Sequence, residues 1–131
     1  MSRKAFLVEV DRCVGCRACE IACEDENDLP AGAQRVRVAT VKTGERSRLY
    51  VPTFDLVGGA SGCTLCPQLQ AEGRGPACVA NCLTNAIRFS DLEDIDEAAA
   101  MEKGRLVMEG RVATVIYVSG SDLRALGKTL R

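Results

Sequence analysis

The 131-residue sequence predicts an α+β fold in a single domain, 1–131, with a pseudo-symmetric core, a hairpin inserted into it and a C-terminal helix and strand extension. Three observations predict it. Eight cysteines fall into two groups, at 13–23 and 63–82, and each group ends in a pair spaced for one turn of helix. Short alternating or β-branched segments flank both groups. One stretch, 90–104, has the polar start and terminal glycine of a helix.

In chain order, "KAFLVEV" (4–10) alternates and reads as a strand leading to the first motif, 13–23. "CRACEIACEDEN" (16–27) reads as a short helix with Ala18, Ile21 and Ala22 as its apolar members, and Gly15 in the preceding loop suits a left-handed turn. "QRVRVATVKTGERSRLYVPTF", about 34–54, alternates on both sides of 43–45 and predicts the inserted hairpin. In the second motif, 63–82, "PQLQAE" makes a helical turn with Pro67 at its start, and "GRGP" turns the chain back toward Cys78. "AIRF" (86–89) is a strand; "SDLEDIDEAAAMEKGR" is a helix that opens on a Ser/Asp cap and closes at Gly104 after Lys103. "RVATVIYV" (111–118) closes the sheet and "SDLRALGKTL" (121–130) forms a terminal helix, completing the extension, 91–131.

Composition narrows the partners. With 17 basic and 18 acidic residues and no histidine, the chain has no cationic excess to direct it to nucleic acid or an anionic membrane. An aromatic content of 4% also argues against base stacking. Glu9 and Asp11 interrupt the place of a signal-peptide apolar stretch, and no run approaches the roughly 18 apolar residues of a membrane span. The expected compartment is the cytoplasm, with export alongside a signal-bearing partner left open.

Disulfides fit the cysteines poorly, because Cys13, Cys16, Cys19 and Cys23 crowd into eleven residues. Structural zinc uses ligand pairs separated by a longer spacer, whereas "CVGCRACEIAC" spaces four cysteines at x2, x2 and x3. A four-iron cluster needs that density, since each iron takes its own thiolate. In the bacterial C-x2-C-x2-C-x3-C pattern the fourth cysteine ligates the other cluster. "PACVANC" repeats the x3 pair, and Cys63 and Cys66 supply a further C-x2-C. By this exchange, one [4Fe-4S] cluster takes Cys13, Cys16, Cys19 and Cys82, and the other takes Cys23, Cys63, Cys66 and Cys78. All eight cysteines are used. Cys19 and Cys23 stand one helical turn apart, which sets the cluster centres on the order of 10 Å apart.

"CVGCRACEIACEDENDLP", "CTLCPQLQAEGRGPACVANCLTNAIRFSDLED" and "RVATVIYVSG" together resemble the polyferredoxin-type 4Fe-4S electron-transfer (beta) subunits of molybdenum and tungsten pterin oxidoreductases. That family includes the subunits of dimethyl sulfoxide reductase, formate dehydrogenase and nitrate reductase. Its members typically carry four motifs; this chain resembles the two outer ones, joined by residues 31–62 in a shortened two-cluster form. The small subunits of tungsten aldehyde oxidoreductases are similar, so the partner's metal stays open. Where the family has Pro and Gly after its last cysteine, this chain has Leu83 and Asn85.

The resemblance implies a ferredoxin-like two-cluster core and a larger pterin-metal catalytic subunit as partner, with room for a further redox subunit. It also implies that the cluster of Cys13, Cys16, Cys19 and Cys82 faces the catalytic subunit. The alternatives are a free two-cluster ferredoxin acting as a soluble shuttle and a zinc-stabilised interaction module. No histidine base, phosphate loop or Cys/His pair competes with the clusters, so the chain is expected to carry no catalytic site.

Val14, Ile21, Leu65, Val79, Leu83 and Ile87 are the apolar residues placed to exclude water, a role that coincides with ordinary core packing. Arg12, Arg17 and Arg88 flank ligands, either raising cluster potentials or sitting exposed. Both potentials are expected to be low. Arg35, Arg37, Lys42, Arg46 and Arg48 concentrate basic charge in the hairpin, while "EDENDL" and "DLEDIDE" are acidic; these are solvated faces or docking patches. The eleven residues between Cys66 and Cys78 are expected to cover a cluster or grip a neighbouring subunit.

Overall fold

A computed structural model describes residues 3–30, 33–42, 48–56, 62–102, 104–120, 123 and 126. Strand β1 (Lys4–Glu9) sends Ala5 and Leu7 to one side and Phe6 and Val8 to the other, and all four are buried. A strand apolar on both faces belongs in the middle of a sheet. β1 pairs antiparallel with β4 (Ile87–Asp91) and parallel with β6 (Thr114–Ser119). β5 (Gly104–Glu109) pairs antiparallel with β6, so the sheet order is β4-β1-β6-β5.

Helix α4 (Leu92–Ala99) covers one face: Leu92, Ile95 and Ala99 pack on Ala5, Leu7, Ile116 and Val118. The other face carries Phe6, Val8, Val115 and Tyr117 and meets the cysteine-bearing segments and a separate hairpin, β2 (Val36–Lys42) with β3 (Arg48–Phe54). Two contacts dock that hairpin. The Phe54 ring stacks on Phe6 with centroids 4.4 Å apart, and the buried Tyr117 hydroxyl donates to the Pro52 carbonyl at 2.8 Å. The chain is thus α+β, with α1 (Ala18–Glu26), α2 (Pro67–Gln70) and α3 (Ala77–Ala80) on the hairpin side.

Two boundaries and one cap differ from the sequence expectation. The helix expected to reach Gly104 stops at Ala99, and Gly104 instead opens β5, drawn into register opposite Ser119. Asp91 holds the cap position, but its carboxylate goes to Lys4 Nζ at 2.7 Å and not to the helix amides. The last strand starts at Thr114, because residues 111–113 turn: the Gly110 N–H donates to Ala113 O at 2.9 Å, and the Val112 N–H to Leu56 O at 3.0 Å. The hairpin turn at 43–45 and most of the expected 121–130 helix lie outside the described residues; Leu123 and Leu126 are buried in the core.

Candidate functional site

Both cysteine motifs are shaped by left-handed backbone at the same place. Gly15, third in the first C-x2-C, has φ 75°, and Leu65, third in the second, has φ 65°. Each conformation turns an amide inward: the Gly15 N–H is directed at the Cys13 sulfur and the Leu65 N–H at the Cys63 sulfur. Gly15 is required twice over, since a Cβ there would also stand 2.7 Å from the Tyr50 ring. After the last cysteine Asn85 takes φ 54°, and the Ala86 N–H donates to Cys82 Sγ at 3.3 Å.

α1 buries Cys19 and Cys23 on its inner face and packs against α3, which carries Cys78 and ends just before Cys82. The thiols divide by proximity. Cys13 feels the charge of Cys82 and Cys16, and Cys19 that of Cys13 and Cys82. Cys23 feels Cys63 and Cys66, while Cys78, between the two sets, feels Cys63, Cys23, Cys19 and Cys66 in that order. Asn27 Nδ2 lies 3.8 Å from Cys23 Sγ and 3.6 Å from Cys66 Sγ. Cys23, Cys63, Cys66 and Cys78 line one tight cavity, walled by Val36, Phe54, Leu65 and Pro76 and by the polar Asn27, Arg35 and Thr64.

All eight thiols are free. Among the described residues no three Cys, Asp or Glu side chains converge on a single ion. A cluster makes a different demand, with a separate iron under each ligand, and the all-thiol donor set of Cys23, Cys63, Cys66 and Cys78 in its mainly apolar wall suits it. Burial pushes the Cys13, Cys23, Cys63 and Cys78 thiols up, and Cys19 up to about 12, with neighbouring thiols adding to the rise in each case. At Cys82 burial also acts upward, but the amides of Ala86, Thr84 and Ile87 and the Thr84 hydroxyl outweigh it and hold the thiol below its ordinary value.

Ligation needs the thiolate, so these raised thiols must give up protons on loading. Iron uptake by the metal-free chain, followed by visible absorption, should therefore be more complete at pH 9 than at pH 7. Loading independent of pH over that interval would contradict the assignment.

The apolar residues expected to exclude water split. Ile87 is buried and Leu65 and Val79 are half-buried, whereas Val14, Ile21 and Leu83 are 60%, 61% and 77% exposed. The reason is geometric: α1 spends its buried face on Cys19, Glu20 and Cys23, which turns Ile21 outward. Arg12 and Arg88 both pair with Glu9, at 2.7 and 3.0 Å, and Arg17 pairs with Glu20 at 3.0 Å, so each is a surface cation beside a carboxylate. In the hairpin Arg37, Lys42 and Arg48 are exposed and Arg46 lies outside the described residues, but Arg35 is half-buried against the cysteine cavity. Sequence reasoning missed Asn27 and Glu20. Asn27 was findable, because it follows Cys23 by one helical turn; of Glu20's partners Arg17 is local, but Gln34 and Val38 come from the hairpin segment and leave no local signal.

No family model matches the chain. It is similar to a Halobacterium salinarum protein named as an iron–sulfur subunit of dimethyl sulfoxide reductase, 32% identical over 98 residues, covering 71% of this chain and 33% of that one. It is similar to the electron transport protein HydN of Escherichia coli, 31% identical over 110 residues, covering 82% and 57%. A third relative is the thiosulfate reductase electron transfer subunit PhsB of Salmonella typhi, 23% identical over 147 aligned positions, covering 68% and 76%. The chain spans about a third of the first relative's length and a little over half of the second's. The PhsB alignment is longer than the part of this chain it uses, so PhsB contains segments with no counterpart here. The chain thus resembles iron–sulfur electron-transfer subunits of reductase and dehydrogenase complexes.

Proposed function

We propose that the chain carries two [4Fe-4S] clusters and relays single electrons to or from the catalytic subunit of a molybdenum- or tungsten-pterin oxidoreductase. The observation that carries this reading is that Cys23 of the first motif lines one cavity with Cys63, Cys66 and Cys78 of the second. Cys13, Cys16, Cys19 and Cys82 hold the first cluster, and Cys23, Cys63, Cys66 and Cys78 hold the second. Bound in this way, each supplies a one-electron carrier. The repeated left-handed third position and the paired helices α1 and α3 support a pseudo-symmetric, ferredoxin-like core. PhsB's additional segments are consistent with a shortened member that keeps the outer motifs.

The chain's own residues prepare the transfer. The amides at Gly15, Leu65 and Ala86 present donors to ligand sulfurs. Val36, Phe54 and Leu65 keep water from the second set. Cys16 is exposed, as are Val14, Ile21 and Leu83 beside the first set, which suits that end of the molecule to face a partner.

The excursion between Cys66 and Cys78 has two parts. Pro67–Gln70 forms α2 with Leu69 buried against Cys66, Ala77 and Ala22, whereas residues 71–75 are exposed. The first part is structural; the second is free to grip a neighbour. Native purification should recover a larger catalytic subunit with this chain, and a variant lacking residues 72–75 should keep its iron while losing much of that co-purification. Iron loss in this variant would show the exposed part to be structural too. A monomeric, fully loaded chain without a partner would favour the free shuttle, the role that fits the name of HydN, electron transport protein.

A further inference from the structure

Five basic residues of the hairpin look alike in sequence, but one is placed differently. Arg35 precedes β2 by one residue, is half-buried and lines the cavity of Cys23, Cys63, Cys66 and Cys78; it is the only Lys or Arg among the described residues in that wall. Its Nη1 lies 3.4 Å from Thr64 Oγ1, inside the second C-x2-C loop. The backbone holds it there: the Asp55 N–H donates to Arg35 O at 2.8 Å, and the Cys63 N–H to Asp55 O at 2.7 Å.

The basic residues that flank the first set lie outside that wall. Arg12, Arg17 and Arg88 are paired with carboxylates near the surface, and the charge acting on Cys19 besides its neighbouring thiols is that of the buried Glu20.

We propose that Arg35 selectively raises the reduction potential of the second cluster, its fixed positive charge in the cavity wall stabilising the one-electron-reduced form. This rests on the cluster assignment above. Reduction adds one electron, supplied by the partner or by dithionite, makes the site one unit more negative and requires no proton. A guanidinium keeps its charge across the working pH range, so the bias is permanent. Asn27 acts in the same direction, by directing its amide at the sulfurs of Cys23 and Cys66.

The test is a dithionite titration of the anaerobically reconstituted full chain, followed by electron paramagnetic resonance, after iron has been counted. The wild type should show two one-electron steps. In Arg35→Gln the step that is absent from Cys23→Ala should move to more negative potential while the other stays. Arg35→Lys should move it much less, and Asn27→Leu should move that same step in the same direction. Movement of both steps together or of neither, a Lys variant shifted as far as the Gln variant, or an Asn27 effect on the other step overturns the proposal. So does an Arg35→Gln chain that loses half its iron, since Arg35 then builds the site instead of tuning it. A wild-type chain that takes up no iron overturns the cluster assignment and this inference with it, and the initial count distinguishes that failure from the others.

Discussion

Replacing Cys23 by alanine should cost the chain the cluster of the other motif. Cys23 is in the first motif by sequence, but α1 turns it toward Cys63, Cys66 and Cys78, and Asn27 touches its sulfur and that of Cys66. Iron should fall from about eight to about four per chain. Cys82→Ala should produce the same loss from the opposite cluster, although Cys82 lies in the second motif. Double variants make the test sharp, because changes within one unit do not add while changes in separate units do. Cys23→Ala with Cys63→Ala should retain about four irons, and Cys23→Ala with Cys82→Ala almost none. Were each motif a self-contained site, Cys23→Ala with Cys19→Ala would be the pair that spares half the iron.

That contrast also marks what the sequence could reveal. The placing of Cys19 and Cys23 on one helix face was legible because an x3 spacing translates directly into one turn of helix: both are buried on α1. β1, the hairpin strands and the Pro67 turn were legible for similar local reasons. β5 was not, since Lys103–Gly104 imitates a helix end and only the pairing of Gly104 with Ser119 makes a strand there. Ile21 and Leu83 were misjudged because apolar character does not say which face of an element is already taken. Arg35 was indistinguishable from Arg37 until the hairpin docked, and its role follows from the loop 29 residues away that it meets at Thr64.

The same docking makes Glu20 the residue whose loss should most weaken the protein short of a ligand. Glu20 is only 5% exposed and accepts three hydrogen bonds. Its Oε2 takes Arg17 Nη1 at 3.0 Å and the Val38 N–H at 3.0 Å, and its Oε1 takes Gln34 Nε2 at 2.6 Å. Val38 faces Pro52 across the hairpin, and a proline has no N–H to return. Bonded and non-bonded pairs alternate along the ladder, and the Asp55 N–H donates to Arg35 O three positions before Val38, so Val38 and Pro52 form a non-bonded pair and the Val38 amide points away from β3 to the carboxylate on α1. Glu20→Ala strands that buried amide and removes the anchor joining α1 to the start of β2, at a cost of about 2–4 kcal/mol. Glu20→Gln preserves the shape but turns an N–H₂ toward donors, costing about 1–3 kcal/mol. In guanidinium, the visible absorption of the loaded chain should bleach at least about tenfold faster for Glu20→Ala than for wild type, with Glu20→Gln between them. The hairpin start carries Arg35 and Val36 to the second cavity, so loosening it should also speed oxidative loss of the second cluster ahead of the first. Equal bleaching rates in all three proteins would mean that the hairpin is held by the Phe6–Phe54 stack and Tyr117 alone.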